Sequence, residues 1–261
     1  MRRLVAGTGW KMNNGATQTS RYAAHLAPLV ERLGDTIEMF VLPPFTSLYA
    51  AKISFSSSAV GIGAQNVHWE ASGAWTGEIS APMLVEAGCR YVELAHSERL
   101  EHFGENYDLV RRKLNAAVAS GLTPILCLGE TAEDKRRAVA DNILTEQKSL
   151  ALRDQPSERI PKVILAYEPR WAIGASAAAA PDYAAERHRG LRKAVSDRFG
   201  ADAAAEVRII YGGSVTPSNG EALMEHADID GLFVGRAAWS AEGFAEIAAI
   251  VARMAIRRKH Q

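Results

Sequence analysis

Eight short apolar runs recur along the 261 residues, each followed by an amphipathic segment and a turn signal. That regular alternation restricts the fold more than any other feature of the chain. The runs lie at 4–8, 37–42, 60–64, 91–95, 123–128, 163–166, 208–211 and 231–234. Most are continuously apolar, which suits strands buried on both faces, as in a parallel sheet. Between the first two, Tyr22, Leu26, Leu29, Val30 and Leu33 are expected on one helical face. Further helices are predicted at 80–87, 108–120, 134–152, 181–199, 218–226 and 241–257. Pro181 opens one of them and Gly200 ends it, while Pro43-Pro44, Gly88 and Gly121 punctuate others. Eight near-equal strand–helix cycles in about 250 residues match a closed (β/α)8 barrel. A doubly wound open sheet is the alternative, but no Gly-x-Gly-x-x-Gly follows the first strand. No Pro/Ser-rich linker interrupts the pattern, so residues 1–261 read as one catalytic domain.

The charge balance excludes some functions. Thirty Lys and Arg against thirty Asp and Glu give a formal charge of zero, with no nucleic-acid or polyanion surface. The basic tail Arg257-Arg-Lys-His260 reads as a solvated helix end. Cys89 and Cys127 lie far apart in apolar contexts, without metal-ligand spacing, and read as reduced thiols of a cytoplasmic protein. The apolar run near the N-terminus is too short for a signal peptide, and no later stretch is expected to span a membrane.

In a barrel, function is built from the residues just after each strand. Strand six leads into Tyr167-Glu-Pro169, so Glu168 should stand where a buried strand opens into a loop. Burial there would raise its pKa and make it a better base. The loop that follows, Pro169, Arg170, Trp171, Ala172, Ile173, Gly174, Ala175, Ser176 and Ala177, is apolar and small-residue rich, which suits a lid. Strand one ends near Lys11 and strand four at His96. Strands seven and eight end in Tyr211-Gly-Gly-Ser214 and Gly235-Arg236, whose glycines let backbone N–H groups approach an anion. An amine, an imidazole, a carboxylate and a phosphate cradle thus converge on one rim.

The residues carrying this pattern resemble the triosephosphate isomerase family over essentially the whole chain. The matching stretches are Trp10-Lys-Met-Asn13, Ala64-Gln-Asn66, Thr76-Gly-Glu-Ile-Ser80, His96-Ser-Glu-Arg99, Phe103-Gly-Glu105, Leu128-Gly-Glu130, Ala166-Tyr-Glu-Pro169, Trp171-Ala-Ile-Gly174, Tyr211-Gly-Gly-Ser-Val215 and Asp228-Ile-Asp-Gly231. The resemblance implies a TIM barrel, no cofactor or metal, a phosphorylated sugar as substrate, and a homodimer. Ser72-Gly-Ala-Trp-Thr-Gly-Glu78 matches the family's dimer loop, making Trp75 and Thr76 interface candidates. A glutamate base, a neutral histidine and a closing loop are the family's known features, carried over to Glu168, His96 and residues 169–177 by resemblance. Lys11 would supply positive charge near the substrate oxygens and phosphate. Gly174, Ser214 and Gly235 would bind the phosphate, and Tyr211 and Ser214 would latch the closed lid. Glu98 would orient its neighbours, and Cys127 would serve packing.

The chain departs from the family pattern in three places. Gly9 stands where the family has asparagine before Trp-Lys, Arg236 replaces the second of two glycines, and the lid ends Gly174-Ala-Ser-Ala177 in place of Gly-Thr-Gly-Lys. The lost asparagine leaves space for a hydroxymethyl group, and Arg236 suits an anion. The segments Gly7-Thr-Gly-Trp-Lys11 and Gly235-Arg-Ala-Ala-Trp239 resemble the family's erythrulose-1-phosphate isomerase branch. The expected reaction is therefore L-erythrulose 1-phosphate to D-erythrulose 4-phosphate. The alternatives are the glycolytic triose reaction, dihydroxyacetone phosphate to glyceraldehyde 3-phosphate, and a non-catalytic phosphosugar-binding paralogue.

Overall fold

Each apolar run becomes a strand in the computed structural model, which describes residues 2–174 and 178–260. In chain order these are β1 (Val5–Gly9), β2 (Glu38–Leu42), β3 (Val60–Ala64), β4 (Tyr91–Leu94), β5 (Thr123–Leu128), β6 (Ile164–Tyr167), β7 (Arg208–Tyr211) and β8 (Gly231–Val234). Neighbouring strands pair in parallel and in sequence order, and Val5 of β1 pairs with Gly231 of β8. The sheet is closed, which rules out the open doubly wound alternative and leaves no edge strand to protect.

Alternate side chains of each strand point into the barrel. Val5, Phe40, Leu42, Tyr91, Ile125, Cys127, Ile164, Ala166, Ile210 and Phe233 form one buried cluster there. Phe40 lies across the interior because Gly7 faces it; a Cβ on Gly7 would come 2.1 Å from its ring. Toward the amino-terminal ends of the strands, Tyr91 Oη donates to Glu38 at 3.0 Å, and Glu38 pairs with Arg208. This polar plug seals one end of the barrel, so the opposite end is the open mouth.

Around the strands lie α1 (Ala16–Val30), α2 (Leu48–Ser54), α3 (Ala81–Glu86), α4 (Ser97–His102), α5 (Tyr107–Ala119), α6 (Ala132–Arg136), α7 (Ala140–Ala151), α8 (Pro181–Phe199), α9 (Ala201–Glu206), α10 (Pro217–Met224) and α11 (Ala241–Lys259). The helix α1 buries Thr19, Tyr22, Ala23, Leu26 and Val30. Leu29 falls off that stripe and is 51% exposed, against expectation. The single helix expected at 134–152 is two, because Ala138 takes a left-handed φ of 54°. A capping box between Thr131 and Asp134 starts the first of them. Among the described residues, no helix is long and apolar enough to cross a membrane.

Several stretches that carried the resemblance prove architectural. Asp230, nearly fully buried, accepts from Arg2 and Arg192 at 2.6 Å each and from the Ile209 N–H at 2.8 Å. It thereby ties the start of the chain and α8 to β7 and β8. Lys113 of α5 pairs with Glu105 and donates to Asn66 Oδ1 at 2.9 Å, joining the loops after β3 and α4. Both clusters satisfy charges that would otherwise be buried alone.

Candidate active site

Glu168 directly follows β6 and is 5% exposed. Its N–H donates to Leu128 O at 2.8 Å, so it continues the barrel for one more residue. Two glycines make its slot. A Cβ on Gly129 would come 1.8 Å from Glu168 O, and one on Gly212 would come 2.7 Å from Glu168 Cγ. Glu168 Oε2 is buried with no hydrogen-bond partner among the described residues. Such an orphan is rare in a folded protein and makes Glu168 a candidate base. Burial, then the neighbouring Glu93 carboxylate, hold the Glu168 pKa well above the ordinary carboxylate range; Lys11 pulls it partly back.

His96 follows β4 and caps α4. Its Nδ1 accepts the Glu98 N–H at 3.2 Å, so the hydrogen of the neutral ring sits on Nε2. That Nε2 lies 3.8 Å from Glu168 Oε2. Burial first, then the charge of Lys11, lower the His96 pKa to about 4. The Lys11 ammonium pairs with Glu98. Burial pushes the Glu98 carboxyl up, but the hydrogen bond from the Lys11 ammonium and its charge outweigh it, holding the carboxyl below its ordinary value. Lys11, Ala95 and Ser214 all take left-handed φ values, 52°, 62° and 50°. Each costs roughly 1–3 kcal/mol, so backbone strain gathers at the barrel mouth.

The loop after Glu168 is held at both described ends. Pro169 leads into a tight turn at Arg170–Ala172. Glu130, fully buried at the end of β5, accepts from Tyr167 Oη at 3.0 Å, Trp171 Nε1 at 2.8 Å and Tyr183 Oη at 3.0 Å. The Lys135 ammonium sits 3.4 Å from the centre of the Trp171 ring. From the other side, Ser214 Oγ donates to Ala172 O at 2.6 Å, and Tyr211 Oη accepts the Ala179 N–H at 3.1 Å. Ser214 thus reaches the loop itself at Ala172, and Tyr211 reaches the segment just beyond it at Ala179. Ile173 is half-buried and Gly174 is exposed, with φ 67°. Ala175, Ser176 and Ala177 lie outside the described residues. Open space surrounds Gly235, and Arg236 is exposed beside it.

Tyr211→Phe removes one acceptor for a buried N–H, worth roughly 0.5–1.5 kcal/mol. If that bond holds the loop closed, kcat/KM falls about 3- to 10-fold. Steady-state kinetics on the variant checks this.

Sequence reasoning missed two carboxylates. Glu130 gathers the loop's anchors, but its three donors come from separate elements. Glu93 stands inside β4, 6% exposed, and accepts from Cys127 Sγ at 3.8 Å. Burial raises it to about 7, against the pull of Lys11. One donor atom from each of Glu93, His96 and Glu168 lies within 4.8 Å of the others. The available signal was a lone charge in Tyr-Val-Glu-Leu at an inward-facing position.

A buried carboxylate with a vacant acceptor, a neutral imidazole and an ammonium at a barrel mouth are suited to moving a proton beside a carbonyl. The family model described as triosephosphate isomerase matches residues 4–251. The chain belongs to the triosephosphate isomerase family. It is 45% identical over 248 residues to an L-erythrulose-1-phosphate isomerase of Rhizobium etli, covering 94% of this chain and 91% of that one. It is 44% identical over 244 residues to a triosephosphate isomerase of Chloroflexus aurantiacus, covering 94% and 97%. The crystal structure of triosephosphate isomerase from Bartonella henselae matches with a TM-score of 0.85 and 33% identity over 95% of this chain and 98% of that one. As a member of the triosephosphate isomerase family, the protein is a cofactor-independent sugar-phosphate isomerase. Relatives named for two different sugars stand at nearly equal identity, so the choice of sugar must be argued from the site.

Proposed function

We propose that this isomerase interconverts L-erythrulose 1-phosphate and D-erythrulose 4-phosphate. The carrying observation is the gap at Gly9. A Cβ built there makes ordinary van der Waals contact with Phe233 at 3.5 Å and Glu93 Oε2 at 3.7 Å, so a carbon fits at this point without a clash. Where a triose phosphate has a hydrogen on its reacting carbon, the tetrulose has a hydroxymethyl group, and the gap receives it. In the reaction Glu168 removes the proton from C3, the electrons form the 2,3-enediolate, and the proton returns at C2. The carbonyl moves to C3, which becomes C2 when the product is numbered from its free end. His96 donates from Nε2 to the oxygen that gains charge, with Lys11 adding its positive charge.

The phosphate is held by backbone at Gly174, Ser214 and Gly235, with Arg236 at the rim. Closure of residues 169–177 excludes water and protects the enediolate from losing phosphate. The chain works as one catalytic domain in the cytoplasm. It pairs as a homodimer through residues 72–78, an exposed loop on which Trp75 remains 46% exposed beside His68 and Trp69.

Turnover of erythrulose 1-phosphate and dihydroxyacetone phosphate, followed side by side by NMR, tests the substrate. A larger kcat/KM on the tetrulose supports the reading, and preference for the triose makes Gly9 a tolerated departure in a glycolytic enzyme. Gly9→Asn fills the gap and is expected to cut the tetrulose-to-triose ratio by about 10- to 200-fold, the usual range for one carbon in a pocket. An unchanged ratio would show that the gap plays no part.

A further inference from the structure

The place of Glu93 in the barrel has no structural justification of its own. It points inward from β4, with the Cys127 thiol and the Gly9 gap beside it. The barrel wall leaves this side chain 6% exposed and offers its Oε1 one weak donor, Cys127 Sγ at 3.8 Å. An aliphatic side chain would fill the same place without the desolvation cost. Oε2 is the carboxylate oxygen that faces Gly9, 3.7 Å from a Cβ built there. Glu168 and His96 stand alongside, each offering an atom within 4.8 Å of the Glu93 carboxylate. On the reading above, a sugar with its reacting carbons between Glu168 and His96 has Glu93 within reach, because the three side chains lie within 4.8 Å of one another.

We propose that Glu93 is a specificity-determining residue, its Oε2 hydrogen-bonding the terminal hydroxyl of a four-carbon substrate lodged in the Gly9 gap. This rests on the tetrulose reading above and names the group that selects for it. A triose would leave both the gap and Oε2 empty. A substrate lacking the hydroxyl would forgo a hydrogen bond to a charged group, which is worth about 10- to 100-fold in selection. With its pKa raised to about 7, the carboxyl can present either an acceptor or a donor to that hydroxyl at neutral pH.

Glu93 also adds to the raised pKa of Glu168, so a loss of activity alone would not identify its role. The test is kcat/KM for erythrulose 1-phosphate and for dihydroxyacetone phosphate, across pH, in wild type, Glu93→Val and Glu93→Gln. The tetrulose-to-triose ratio is expected to fall about 10- to 100-fold in Glu93→Val and to stay within about 3-fold in Glu93→Gln, whose amide still bonds a hydroxyl. Equal losses on both substrates, or a shifted acid limb with an unchanged ratio, overturn the inference and leave the substrate reading standing. A wild-type enzyme that prefers the triose overturns both. Glu93→Gln is nearly isosteric, so its ratio remains informative if the valine variant repacks the barrel interior.

Discussion

Glu168→Gln is expected to lower kcat by about 10²- to 10⁴-fold while KM changes little, because only the proton-accepting step loses its agent. The amide fits the slot over Gly212 and keeps the shape of the site, but cannot take a proton from carbon. The substitution also removes a charge from a buried position where Oε2 has no partner, so the variant should unfold no more readily than wild type. Solvent exchange gives a second readout. In D2O the wild type should place deuterium on the reacting carbon, and the variant should not.

The pH profile follows from the same group. A base acts when deprotonated, and the Glu168 pKa lies well above the ordinary carboxylate range through burial and the adjacent Glu93. Activity should therefore fall, as pH drops, at a higher pH than a solvated glutamate would give, and this limb should vanish in Glu168→Gln. Full activity in the variant would place the base elsewhere, whereas phosphate affinity without turnover in wild type and variant alike would return the chain to the non-catalytic phosphosugar-binding reading.

The parts of this molecule that were legible in the sequence share one property: their meaning is local. Residues 60–64, 123–128, 208–211 and 231–234 form strands with the expected bounds, because burial on both faces writes a continuous apolar run. Lys11, His96 and Glu168 were visible as polar residues placed just after such runs. The raised pKa of Glu168 also followed from position, since any carboxylate at a closed strand end loses water. What stayed hidden depends on distant partners or on short elements. The helices α2, α4 and α9 have seven, six and six residues, too few for a helical period to register. The break at Ala138 is one backbone angle in an otherwise helical pattern. Glu93 looks like a stray charge until Gly9 and Phe233 are placed against it by closure of the barrel. Glu130 becomes an anchor only once Tyr167, Trp171 and Tyr183 converge on one of its oxygens.

His96→Ala should cost about 10²- to 10³-fold in kcat, the usual loss when one donor to a developing oxyanion is removed. His96→Gln, which can donate from nearly the same place, should recover part of it. The sharper question is which form of the ring donates. The helix start at Glu98 gives its N–H to Nδ1, and burial with the nearby Lys11 charge lowers the pKa to about 4. A lowered value means the ring is neutral above that pH and charges only as pH falls through it. Nitrogen NMR of the imidazole should accordingly show one neutral tautomer, protonated at Nε2, with no titration between about pH 5 and 8. A midpoint near the ordinary histidine value would reverse the assignment. It would put a second cation beside Lys11 and make the donor an imidazolium, whose proton could pass to the enediolate instead of staying on the ring.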